Sequence, residues 1–173
     1  MEEIERLLSG GHPNSLGNTV QVVEMVLANP SKFELLFNTY FSKDEVVRLR
    51  VSNAMKRICK ANKSLLVPYI DRFLGEIAHI DQASTQWTLA QLFLALEKDL
   101  SESQKHKARE LLKQNIATQE DWIVLNMTME TLGQWARDDE VLKSFVLPHF
   151  NRLKKDKRKS VANKADKMLA RLG

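Results

Sequence analysis

The feature that most limits how this chain can fold is a spacing pattern that returns four times. Val47, Val51, Ala54, Met55 and Ile58 stand at offsets 0, 4, 7, 8 and 11, which fall on one face of a helix with a 3.6-residue period. The same offsets are filled by Thr85, Leu89, Leu92, Phe93 and Leu96, and by Val124, Thr128, Thr131, Leu132 and Trp135. A fourth copy is Val161, Ala165, Met168, Leu169 and Leu172. Successive copies begin 38, 39 and 37 residues apart. A steady period near that length marks a helical repeat array. Each helical hairpin is apolar on more than one side and cannot bury itself alone, so stacked neighbours must complete the core.

The 173 residues suffice for about four such repeats in one domain. Only six glycines and four prolines are present, a scarcity that suits long helices and disfavours sandwiches and barrels. The single cysteine, Cys59, permits no intrachain disulfide, and a reducing, cytoplasmic setting is expected. No run approaches the ~18 apolar residues of a membrane span, and the acidic start MEEIERLLSGG has no apolar signal core.

Read in order, residues 2–8 make a short helix with Ile4, Leu7 and Leu8 inward, ended by Ser9-Gly10-Gly11-His12-Pro13-Asn14. A helix from about Ser15 to Ala28 then carries Leu16, Val20, Val23 and Leu27. Asn29-Pro30 ends it. The next helix, with Phe33, Leu36, Phe37, Tyr40 and Phe41, is expected to start on a Ser31/Glu34 capping box. The pair forms a degenerate first repeat, 15–42. The second repeat, 43–80, has helices from about Asp44 to Ala61 and Leu65 to Ile77. The third, 81–118, runs Gln82 to Glu97 and then Glu102 to Ile116, with Ser101 and Gln104 as a capping box. The fourth, 119–156, runs Gln119 to Arg137 and Asp139 to Leu153, and residues 157–173 supply a lone capping helix. FVLPHFNRL (145–153) echoes LLVPYIDRFL (65–74), and its proline is expected to kink the helix. The degenerate first repeat and lone last helix suggest natural ends to the array.

The start Asp44-Glu45-Val46-Val47-Arg48, the residues Val51, Ser52, Ala54 and Met55, and the proline-containing second helix resemble a HEAT repeat. The resemblance spans about residues 15–172. The Val-Arg pair occurs in the second repeat only; Thr85-Gln86, Val124-Leu125 and Val161-Ala162 replace it elsewhere. The resemblance implies an all-α, right-handed superhelix of about four hairpins, nine or ten helices in all, with second helices lining the concave face.

Two features could carry function. Net charge is +4, unevenly placed: residues 1–142 hold 16 Lys+Arg against 20 Asp+Glu, and residues 143–173 hold 10 against 2. The core of the basic end is Arg152, Lys154, Lys155, Lys157, Arg158 and Lys159. Such a cluster attracts phosphate backbones and acidic partners; equally, it solvates the last repeat. A second basic set, Arg48, Arg50, Lys56, Arg57, Lys60 and Lys63, reads as a solvated face. The other feature is an uncharged middle. Residues 82–96 carry no charge and residues 122–136 carry only Glu130. Trp87, Ala90 and Leu94 make one extra stripe, and Trp122, Leu125 and Met129 another. These stripes bury a second helical face against neighbours, or form a partner or self-association surface, because interface centres are poor in charge and rich in Trp and Met.

Catalytic patterns are missing from the sequence. His12, His79, His106 and His149 are dispersed, no metal-ligand spacing occurs, and the glycines match no phosphate-binding loop. HEAT-like DNA-alkylation-repair glycosylases use aromatic residues and an acid on a basic concave surface, and Asp121, Trp122, Trp87 and Trp135 supply those residue types. The sequence thus points to a non-catalytic scaffold binding another protein, without cofactor or metal, as a monomer or weak homodimer. A nucleic-acid-binding module using the basic end is the alternative, and an alkylation-repair enzyme a third reading.

Overall fold

The computed structural model describes residues 2–173, which form ten α-helices joined by short turns, several of them 3₁₀, with no strand among the described residues. Every residue of the four-fold spacing pattern is buried except Leu169, which is half-buried. Contacts cluster in two units, one ending at Thr88 and the other running Leu89–Gly173.

The N-terminal unit contains α1 (Glu3–Leu8), α2 (Thr19–Ala28), α3 (Phe33–Asn38), α4 (Glu45–Asn62), α5 (Ile70–Gly75) and the first part of α6 (Ala83–Ala95). Asp44 starts α4, its Oδ1 accepting from the Val46 N–H at 2.8 Å. Phe37, Tyr40 and Phe73 meet edge-to-face at its core, with centroids 5.1–6.5 Å apart. The buried Tyr40 hydroxyl lies 2.9 Å from Ser52 Oγ. Arg48 ties α4 to the start of α6: its Nε donates to Gln82 Oε1 (2.7 Å) and its Nη1 to the Ser42 carbonyl (2.7 Å).

Three local expectations fail in this unit. α2 starts at Thr19 rather than Ser15 and buries Thr19, Val22, Val23 and Val26, which leaves Leu16 and Val20 exposed. Its inward face is thus rotated from the expected one, because residues 9–17 form a loop and not a first turn. The Ser31/Glu34 capping box does not form. Ser31 Oγ donates instead to Asn29 Oδ1 (2.6 Å), and a 3₁₀ turn, Pro30–Lys32, precedes α3. The helix expected over 65–77 breaks into 3₁₀ turns at Lys63–Leu65, Val67–Tyr69 and Ile77–His79 around the short α5. Pro68, with no N–H to donate, sits at the start of the middle turn.

The loop 9–17 has a physical cause on α4. Arg50 is 1% exposed rather than solvated. Its Nη1 donates to the carbonyls of Leu8 (2.8 Å) and Gly10 (2.5 Å), its Nη2 to His12 (3.0 Å) and its Nε to Ser15 (3.2 Å). The planar guanidinium fork, with donors in several directions, is the group that can gather four carbonyls at once. Gly17 comes so close that a Cβ there would stand 3.0 Å from Arg50 Nη1, and its φ of +53° is left-handed. Gly17→Ala is therefore expected to cost about 1–2 kcal/mol, read as a lower urea midpoint for the N-terminal unit.

The C-terminal unit contains the rest of α6, then α7 (Glu102–Thr118), α8 (Trp122–Ala136), α9 (Glu140–Leu153) and α10 (Lys159–Leu172). α8 packs against α7, α9 and α10. The expected Ser101/Gln104 capping box forms, each side chain bonding the other's backbone N–H (2.9 and 3.1 Å). Asp139 caps α9 through Leu142 N–H (3.0 Å), and Pro148 lies inside that helix. Thr131 on α8 donates to the Ala90 carbonyl of α6 (2.7 Å). Gly133 lets α10 approach α8 so closely that a Cβ would overlap the Met168 methyl.

Candidate interaction surface

The outward face of α8 is set by its first residue. Asp121 Oδ1 accepts from the N–H groups of Ile123 (2.9 Å) and Val124 (3.0 Å), which fixes Trp122 in the first helical turn. Trp122 is 48% exposed. Trp122, Asn126 and Glu130 recur at four-residue intervals and so share one face, with the half-buried Ile123 and Met127 beside them. No charge occurs on α8 before Glu130.

Two amides distinguish this face. Asn126 is 8% exposed, and its buried Oδ1 has no hydrogen-bond donor among the described residues. Gln91 on α6 donates from Nε2 to Met127 Sδ (3.1 Å), while its buried Oε1 also lacks a donor. A buried acceptor left unmatched is costly, and nearly all such atoms in folded proteins find a partner. The strip thus combines the exposed indole of Trp122 with two amide oxygens buried beneath it.

Glu130 closes the strip at its far end. Its carboxylate takes Lys164 Nζ at 3.2 Å and Arg171 Nη1 at 3.3 Å. Burial pushes its carboxyl up, but the Lys164 hydrogen bond and charge, a hydrogen bond from Gln134 and the charge of Arg171 together hold it below the usual range.

The basic run is divided in two by the structure. Arg152 Nη2 donates to the Ile116 carbonyl (3.1 Å) and meets His149 Nδ1 at 3.3 Å. Arg158 Nη1 donates to the Glu120 carbonyl (2.6 Å), while its Nε and Nη2 hold both oxygens of Asp156 (2.9 and 3.0 Å). Lys154 pairs with Asp166 at 3.1 Å. Only Lys155, Lys157 and Lys159 are exposed without a side-chain partner among the described residues. Hydrogen bonds from the Arg158 side chain and backbone hold the Asp156 carboxyl down at about 2.

Because that value lies below the unfolded carboxylate range near 4, the stability it supplies is present above about pH 4 and is lost as pH falls toward 2. Glu130 acts in the same direction. Asp156→Asn is expected to lower the melting temperature at pH 6 and to shrink the loss of stability between pH 4 and 2. Equal pH 4–2 losses in wild type and variant would refute this.

Trp87 is half-buried on the part of α6 that belongs to the N-terminal unit, and Trp122 belongs to the C-terminal unit. Asp121 is engaged as the α8 cap. Trp135 is 6% exposed and donates from Nε1 to Glu97 Oε2 (3.0 Å), with Lys105 Nζ 5.6 Å from its ring. No three His, Cys, Asp or Glu gather as they would to hold a metal among the described residues. Among the described residues, no helix is long and apolar enough to cross a membrane. The apolar stripes read from the sequence include neither Gln91 nor Asn126. The burial of Asn126 and of the Gln91 oxygen depends on how the helices meet, which no single-helix pattern encodes. Compared with known proteins, the chain matches no family model, no curated protein and no solved structure.

Proposed function

We propose that the chain is a non-catalytic, HEAT-like helical scaffold that binds another protein along the outward face of α8. The observation that carries this reading is the half-exposed Trp122 at the start of a helix that carries no charge before Glu130. A partner would cover the indole. Buried aromatic anchors of that kind dominate interface energetics, and a charge-poor centre matches interface composition. The recurring helix spacing supports a stacked array, which offers partners a long rigid surface.

The test places a photo-crosslinking amino acid at position 122 in the native source. The expected result is one crosslinked protein, competed away by excess purified wild type and not by Trp122→Glu. Crosslinks that both proteins compete equally, or that neither competes, would refute the reading. Trp122→Glu itself should melt within about 1 kcal/mol of wild type, because its side chain is half in solvent.

A nucleic-acid reading draws on Lys155, Lys157 and Lys159, exposed together before and at the start of α10. If these three lysines meet phosphates, log affinity for a duplex falls against log salt with a slope of about −3. Substituting all three with Glu should then abolish binding. Absent or salt-insensitive binding leaves the protein reading alone.

A further inference from the structure

Phe41 reads from the sequence as one of the apolar residues of its helix, and Leu35 lies earlier in the same segment. The structure instead turns both outward, at 47% and 51% exposure. Phe33, Leu36, Phe37 and Tyr40 take the buried positions, so nothing in the core needs the other two. Isolated exposed apolar residues are ordinary. Here the two line one open depression of about 660 Å³, within the N-terminal unit, that is also lined by Glu2, Glu5, Lys43 and Asp44.

The walls of this groove are held in place. Ser42 Oγ donates to Glu5 Oε1 at 2.6 Å, which joins α1 to the turn after Phe41. Asp44 is fixed by its capping bond to Val46. Three carboxylates and one ammonium therefore line a depression that also exposes Leu35 and Phe41. Complementary charge selects the partner and its register, while the apolar contact supplies affinity. A phosphate backbone or an acidic peptide would be repelled.

We propose that this groove docks a basic amphipathic peptide: a segment of another protein that presents apolar side chains flanked by lysine or arginine. The proposal does not depend on the α8 face, and either can fail alone.

The probe is a fluorescein-labelled twelve-residue peptide of Ala and Lys with two leucines at i, i+4 spacing, followed by fluorescence anisotropy on the full chain. Saturable binding is expected, weakened about tenfold by Leu35→Gln or Phe41→Gln and more mildly by Glu2→Lys. Peptides with serine for leucine, or glutamate for lysine, should not bind. Thermal melts identify the folded variants. Leu35→Gln, a change on an exposed helix face, decides the matter if Phe41→Gln unfolds. Several results would overturn the proposal: no binding up to about 1 mM, equal binding by folded wild type and both groove variants, or equal binding by the leucine-free lysine peptide. A wild-type dimer in sedimentation that Leu35→Gln converts to monomer would assign the groove to a second copy instead.

Discussion

Arg50→Met is expected to lower the stability of the N-terminal unit by about 3 kcal/mol, the upper end of what an unmatched buried acceptor costs. Methionine keeps much of the side-chain volume and removes the charge, so the loss isolates the hydrogen bonds. Four carbonyls lose their donor at once: Leu8, Gly10, His12 and Ser15. Water can reach those of the exposed loop residues, but Leu8 is fully buried, and an unmatched buried acceptor costs about 1–3 kcal/mol. The arginine also brings residues 8–15 together against α4, so without it the loop loses its order before the helices do. Arg50→Lys should recover less than half of the loss, because one ammonium cannot serve four carbonyls that the guanidinium meets through three nitrogens. Urea denaturation combined with hydrogen exchange over residues 4–17 and 45–62 reads both effects. A melt of Arg50→Met within about 0.5 kcal/mol of wild type would overturn the account.

The same residue shows where sequence reading stops. The helix-period pattern placed Val47, Val51, Ala54, Met55 and Ile58 in the core, and they are buried, because helical spacing alone decides which side chains share a face. Arg50 sits between them in sequence, and its charge argued for solvent. Its burial depends on carbonyls some 35–42 residues away, a tertiary fact with no local signature beyond the left-handed glycines that border it. Caps divided the same way. Ser101 and Gln104 act on adjacent backbone and were legible, whereas Ser31 lost its expected role to Asn29 and Pro30 beside it. For the candidate surface, the lack of charge on α8 was legible. Whether Trp122 faced core or solvent was not, since that turns on which sides of α8 are covered by α7, α9 and α10.

Gly133→Val should cost the C-terminal unit about 3 kcal/mol, and the cost should fall when Met168 is shortened. The added Cβ would stand 2.2 Å from Met168 Cε, well inside van der Waals contact, and valine adds two methyl groups on a branched, stiff side chain. Replacing a mid-helix glycine ordinarily stabilises a helix by several tenths of a kcal/mol, so a net loss must come from packing. Overpacking a close-fitted core costs about 1–3 kcal/mol. Met168→Ala alone should also destabilise, by about 2–3 kcal/mol, because it opens a cavity where a fully buried side chain stood. The two losses should not add. In Gly133→Val/Met168→Ala the valine methyl groups occupy the space the methionine leaves. The double variant should therefore be at least about 1.5 kcal/mol more stable than the sum of the single losses predicts, a coupling expected only of side chains in contact. Urea melts of the four proteins complete the cycle. Strict additivity would mean that α8 and α10 do not meet at Gly133, and the close approach that positions Glu130 against Lys164 and Arg171 would then need another explanation.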